Sequence, residues 1–178
     1  LVNPLLKRIV HGYNLSVKSW LYSLFSMIYT GVPLASAILL RLEYDGHELI
    51  IFALLCTFAT DTCSFAVGRA WGRTKMAPKV SPGKTWEGAI GGLIGGGVIA
   101  SILVAVLDIE ISIGFAVPIG LLIAIFAQIG DLGESKLKRI VGVKDSGMLI
   151  PGHGGMLDRL DSFVLVLPFV YCISLVLW

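Results

Sequence analysis

The chain has 178 residues, of which 56% are hydrophobic and only 15% charged, with a mean hydropathy of +0.85; soluble domains carry roughly 25% charge. That composition excludes an ordinary soluble domain and predicts an integral membrane protein. The formal net charge of +2 is too small to argue for a nucleic-acid partner.

Five apolar runs follow in order, at residues 19–40, 49–68, 88–107, 112–130 and 162–178. Crossing a bilayer takes roughly 20 helical residues. The last run is short, and a helix beginning near Met156 would supply its missing turn. The predicted fold class is all-α: a single membrane domain over residues 1–178, built as a polytopic bundle of about five transmembrane helices. Lys7, Arg8 and Lys18 precede the first run. Arg69, Arg73, Lys75, Lys79 and Lys84 separate the second from the third, and Lys136, Lys138, Arg139, Lys144 and Arg159 separate the fourth from the fifth. Loops of the other parity hold Glu43, Asp45, Glu48, Asp108 and Glu110, with Arg41 their one cation. The positive-inside rule therefore assigns the N-terminus and both basic loops to the cytoplasm. The chain starts at Leu1 without a methionine and shows no charged n-region followed by a small-residue cleavage site, so it is read as a piece of a longer protein and not as a precursor with a signal peptide.

Within this frame a few polar residues stand out. Cys56, Cys63 and Cys172 lie in apolar runs, are odd in number and lack metal-ligand spacing, which predicts small buried hydrophobes. Asp61 interrupts the second run about seven residues from its cytoplasmic end, roughly 10 Å deep at 1.5 Å per residue. A carboxylate there either pairs with a loop cation or lines a water-filled cavity open to the cytoplasm. The next loop contains Gly83-Lys84-Thr85, but Pro78 stands where a phosphate-binding P-loop needs glycine, and no strand precedes it. Ser81 followed by Pro82 predicts instead the N-cap and first residue of the third helix, with Lys84 on its first turn beside free N–H groups that favour an anion. Gly88, Gly92 and Gly96 then predict close helix packing.

The polar segment 131–162 carries the densest chemistry. Asp131 ends the fourth run and Ser135 lies one turn further on. Asp158 and Asp161 are three apart, on one face of a helix entering the fifth run. Carboxylates at two adjacent helix mouths suit Mg²⁺, which uses few protein ligands and completes its shell with water and substrate phosphates. In the turn 151–155 the glycines allow close backbone approach to a ligand. His153, with no second histidine for zinc, is read as a phosphate-contacting or turn-stabilising residue.

At these positions the sequence resembles a known family. Ser135, Lys138-Arg139, Lys144-Asp145, Pro151, His153-Gly154-Gly155, Asp158-Arg159 and Asp161 together look like the signature of phosphatidate cytidylyltransferases. Two weaker family segments precede it: Asp61-Thr62 with Gly68-Arg69, and Ser81-Pro82 with Lys84-Thr85 and Glu87-Gly88. Family members often have lysine where Gly83 stands. The resemblance runs from about Thr60 to the C-terminus, and members usually carry further N-terminal membrane helices. It implies transfer of CMP from CTP to phosphatidate, with Mg²⁺ (one ion or two) as cofactor. The implied metal ligands are Asp131 and Asp158. Asp161, Lys138 and Arg159 join them as catalytic candidates. Asp61, Ser81, Lys84, Thr85, Ser135, Arg139, Lys144, His153, Gly154 and Gly155 are the candidates for substrate binding. Membrane lipid and a second copy of the chain are the expected partners, in a bacterial inner membrane with the site facing the cytoplasm.

Three other readings compete. A CTP-dependent lipid kinase would share the polar loops and Mg²⁺ but not the whole signature, and a CDP-archaeol synthase would run the same reaction on an ether lipid. An ion-coupled transporter would place its polar groups near the membrane midplane, whereas most of these lie at the cytoplasmic mouth.

Overall fold

A computed structural model describes residues 17–43, 45–109, 111–142 and 160–177. Among the described residues five helices are seen: α1 (Val17–Leu42), α2 (Gly46–Trp71), α3 (Trp86–Val106), α4 (Ile113–Val141) and α5 (Phe163–Leu177). Between α2 and α3 lies a small antiparallel hairpin, β1 (Lys75–Ala77) and β2 (Ser81–Thr85). The first four helices are long and apolar enough to cross a membrane. The described α5 has 15 residues and begins at Phe163, with Asp161 and Ser162 in a turn before it.

Short loops join α1 to α2 and α3 to α4 at one end of the bundle. Asp45 and Asp108 adopt left-handed backbone there, with φ of 53° and 52°, a conformation that aspartate tolerates better than most residues. A hydrophobic core fills this half of the bundle, where Phe52, Cys56, Ala100, Val104, Ile119, Ile123, Val166 and Val170 pack together. Large apolar side chains such as Met27, Ile38, Phe58, Ile94 and Val106 cover the outside, the surface that a bilayer solvates.

Glycine sets the spacing of α2 against α3. A Cβ on Gly92 would strike the Ser64 hydroxyl, one on Gly96 would lie 2.8 Å from Thr60 Oγ1, and one on Gly88 would lie 2.7 Å from the Ser64 carbonyl oxygen. The predicted packing role of these glycines is thus what the structure shows. Thr60 and Thr57 are buried in the same region and return their hydroxyls to their own helix, donating to the carbonyls of Cys56 and Ala53, each at 2.8 Å.

Three expectations change. Ser81 is not a helix cap: it opens β2, and α3 starts only at Trp86 with Thr85 as its N-cap. Thr85 Oγ1 accepts a hydrogen bond from Gly88 N at 3.2 Å, and Lys84 consequently sits on the strand and not on a helical turn. The hairpin wins because α2 runs on to Trp71, so the chain must reverse at once, and the paired strands satisfy backbone groups that a free loop would leave exposed. Likewise, Asp131 does not end its helix. The polar sequence DLGESKLKR has good helix formers at six of its nine positions (Leu, Glu, Lys and Arg), and α4 carries it to Val141, where Gly142 caps the helix with φ of 76°. Cys172, finally, is exposed on the outer surface, while Cys56 is buried and Cys63 partly so.

Candidate functional site

At the other end of the bundle the connecting sequences are longer and richer in charge. There the C-terminal end of α2, the hairpin, the start of α3, the distal half of α4 and the turn into α5 surround a cavity of about 600 Å³, within the size range of small-molecule sites. Asp61, Ser64 and Arg69 come from α2, Lys75, Ser81 and Lys84 from the hairpin, Gln128 and Asp131 from α4, and Asp161 and Ser162 from the final turn.

Local sequence explains how these groups are held. Glu87, on the first turn of α3, accepts the backbone N–H of Thr74 at 3.0 Å and so anchors the hairpin's entry. The Thr85 hydroxyl is wedged between α2 and α3, 3.0 Å from the position a Cβ would take on either Gly68 or Gly88. This gives the Gly68, Thr85, Glu87 and Gly88 pattern a structural meaning: it locks the hairpin across the cavity mouth. On the far side, Arg139 Nε donates to the Val80 carbonyl at 3.3 Å, tying the end of α4 to the hairpin turn.

The charged centre is the pair formed by Lys84 Nζ and Asp131 Oδ2, 2.5 Å apart and partly shielded, with their side chains 25% and 29% exposed. Ser135 Oγ reaches Asp131 Oδ1 at 3.5 Å from one turn along α4. Across the cavity, Ser162 Oγ donates to Asp61 Oδ2 at 3.3 Å, and Asp161 Oδ1 accepts the Ser162 N–H at 2.7 Å. Burial first, and then the nearby Asp131 charge, push the Asp161 carboxyl above its ordinary pKa. Three carboxylates thus share the cavity, and Lys84 is the cation paired with them.

Of the sequence-derived candidates, Asp61, Ser81, Lys84, Thr85, Asp131 and Asp161 line this cavity together. Ser135, Lys138 and Arg139 do not. Ser135 supports Asp131, Arg139 grips the hairpin, and Lys138 lies behind the cavity wall, with Nζ 2.9 Å from Glu134 Oε2. Lys144, His153, Gly154, Gly155, Asp158 and Arg159 lie outside the described residues, as does the proposed helical start near Met156.

Glu134 was missed by the sequence reading. It is 1% exposed, contacts both Lys138 and Asp161, and braces the wall of the site from within. The signal was available: Glu134 precedes Lys138 by four residues, the spacing at which a helix pairs opposite charges. Ser64, Gln128 and Ser162 were also missed. Gln128 Nε2 donates to the Ala89 carbonyl at 3.2 Å and cross-links α4 to α3 beside the cavity.

The chain is thus a polytopic helical bundle with a polar, carboxylate- and lysine-lined cavity at one end. The chain belongs to the cytidylyltransferase family, whose model matches residues 1–177. It is 42% identical over 178 residues to a phosphatidate cytidylyltransferase of Haemophilus influenzae, covering 90% of this chain and 61% of that protein. The corresponding proteins of Staphylococcus saprophyticus and Bacillus subtilis are 40% and 42% identical, over 84% and 81% of this chain. The chain spans a little over half the length of these relatives, between 54% and 61%.

Proposed function

We propose that this chain provides the catalytic part of a CTP:phosphatidate cytidylyltransferase, making CDP-diacylglycerol and pyrophosphate. The observation that carries the reading is the convergence of Lys84, Asp131, Asp61 and Asp161 from separate elements on one cavity at a bundle end. Its relatives' names supply the nucleotide and the lipid. In the reaction a phosphate oxygen of phosphatidate bonds to the α-phosphorus of CTP, and the bond from that phosphorus to the bridging oxygen breaks, releasing pyrophosphate. The attacking oxygen comes from the substrate, so no enzyme nucleophile is needed.

The protein's task is to bring two anions together and stabilise the charge of the transferring group. Lys84, held on β2 at the cavity mouth, places its ammonium where a substrate phosphate would meet it. Its pairing with Asp131 shows that positive charge is stabilised beside that carboxylate, which fits a cation there. Among the described residues no group of three or more metal-ligating side chains is close enough to cage an ion. Mg²⁺ does not require one, since one or two carboxylates and substrate phosphates suffice. Asp131 and Asp158 would hold it, and it would supply charge neutralisation at the phosphates. Asp61 and Asp161 stand opposite, where Ser162 links them.

The cavity end carries Arg69, Arg73, Lys75, Lys79, Lys84, Lys136, Lys138 and Arg139, whereas Glu43, Asp45, Glu48 and Asp108 sit at the other end with Arg41. This charge asymmetry supports a site facing the cytoplasm, and the bacterial relatives support an inner membrane. The test is transfer of labelled cytidine nucleotide into lipid by membranes containing the intact protein. Incorporation that requires added phosphatidate supports the reading. Incorporation of label only from the γ-phosphate of CTP would replace it with a lipid kinase.

A further inference from the structure

Two cations of the cavity are not used by its charged centre. Arg69 is exposed in the last turn of α2, and Lys75 is exposed at the start of β1. Among the described residues neither has a carboxylate partner, whereas Lys84 is committed to Asp131. The Arg69 guanidinium instead lies over the Phe65 ring, 6.0 Å from its centroid. Phe65 lines the same cavity and yet is 66% exposed.

The outer face of α2 explains what this doorway adjoins. Ile51, Leu55 and Phe58 are exposed, and with Thr62, Phe65 and Arg69 they follow one another at spacings of three and four residues. They form a single stripe along the helix. From Ile51 to Phe58 the stripe is apolar and exposed, the surface that a bilayer solvates, and it runs into the cavity at Phe65 and Arg69. Trp71 and Trp86, both exposed at the adjoining ends of α2 and α3, mark the level of the membrane interface. Arg69 lies only about 3 Å below Trp71 along the helix, and Phe65 about 9 Å below it. The guanidinium is therefore at the depth of lipid phosphates and the ring at the depth of acyl chains.

We infer that Arg69 and Lys75, with Phe65 beneath them, form the port that captures the phosphate monoester of a membrane lipid and passes it sideways into the cavity. An acyl chain lying along the Ile51–Leu55–Phe58 stripe brings its headgroup to Arg69 without leaving the bilayer. A guanidinium suits a dianionic monoester, whose oxygens it pairs two at a time. The nucleotide, arriving from water, is left to the Lys84 side. This deepens the proposed function by assigning its two anionic substrates to different cations.

The test uses the intact protein in lipid nanodiscs and does not depend on turnover. Tryptophan quenching by chain-brominated phosphatidate is compared with quenching by chain-brominated phosphatidylcholine. Wild type should prefer phosphatidate, and Arg69→Gln should abolish most of that preference, by about tenfold, the scale of one charge-assisted contact. Arg69→Lys should recover part of it. Equal preference for phosphatidate in wild type and Arg69→Gln overturns the port. Kinetics provide a second arm: Arg69→Gln and Lys75→Gln should raise KM for phosphatidate while leaving KM for CTP within about twofold of wild type. A rise confined to CTP would assign these cations to the nucleotide and also overturn the inference. If wild type binds phosphatidate through Arg69 yet transfers no CMP, the port stands and the proposed reaction falls.

Discussion

Replacing Glu134 by methionine removes a carboxylate that is 1% exposed and breaks its ion pair with the Lys138 ammonium 2.9 Å away. Breaking a buried ion pair from one side costs about 3–5 kcal/mol, because the remaining charge is left desolvated. Lys138 is 16% exposed, so its long stem can swing the ammonium toward water. Glu134 also shares a hydrogen bond with Asp161, which its removal forfeits. The freedom of the lysine stem keeps the expected loss near the low end, about 3 kcal/mol. Lys138→Met strands the glutamate instead and should cost a similar amount. The double variant leaves neither charge behind and should be near wild type, since well-packed apolar replacements of buried pairs are often neutral. Unfolding by titration of dodecyl sulfate into mixed micelles, followed by tryptophan fluorescence, gives all four stabilities. A coupling of at least about 2 kcal/mol is expected. If the single effects simply add, to within about 0.5 kcal/mol, then the pair does not brace this wall and the reasoning fails.

Asp131→Asn and Asp158→Asn should lower CMP transfer at least about a hundredfold with folding intact, since each 1.36 kcal/mol of lost stabilisation is tenfold in rate; Glu43→Gln, at the other end of the bundle, should be near neutral. Chelating Mg²⁺ should abolish wild-type turnover and its return should restore it, an outcome read in the same nucleotide-transfer assay. Gly92→Leu should prevent stable folding, seen as loss of the monodisperse peak in size-exclusion chromatography, because Gly92 faces Ser64 and the Thr60 carbonyl directly. Gly133→Ala, with nothing within 4 Å of the added methyl group, should match or slightly exceed wild-type stability. In a cysteine-free background, cysteines at Lys79 and Asp108 should react with an impermeant maleimide from opposite membrane faces; labelling from one face would overturn the topology.

The helices were legible in the sequence because lipid imposes a simple rule: a span must be apolar for about 20 residues and satisfy its own backbone. Charge bias along the loops was equally plain, as was the clustering of carboxylates with cations near Asp131. The glycine pattern at Gly88, Gly92 and Gly96 could be read as packing, since closeness of helices depends on side-chain size alone. Other features depended on what each segment meets. Ser81-Pro82 has the local chemistry of a helix start, yet the reversal after Trp71 and the anchoring of Thr74 by Glu87 make it a strand. Polar residues after Asp131 look like a loop in hydropathy, but their helix propensity carries α4 to Val141. Lys138 and Lys84 look alike as candidate phosphate ligands. Only the packed structure turns one inward to Glu134 and the other into the cavity beside Asp131. Composition fixes which segments enter the membrane, while the partner of each buried charge is a matter of distances between segments far apart in the chain.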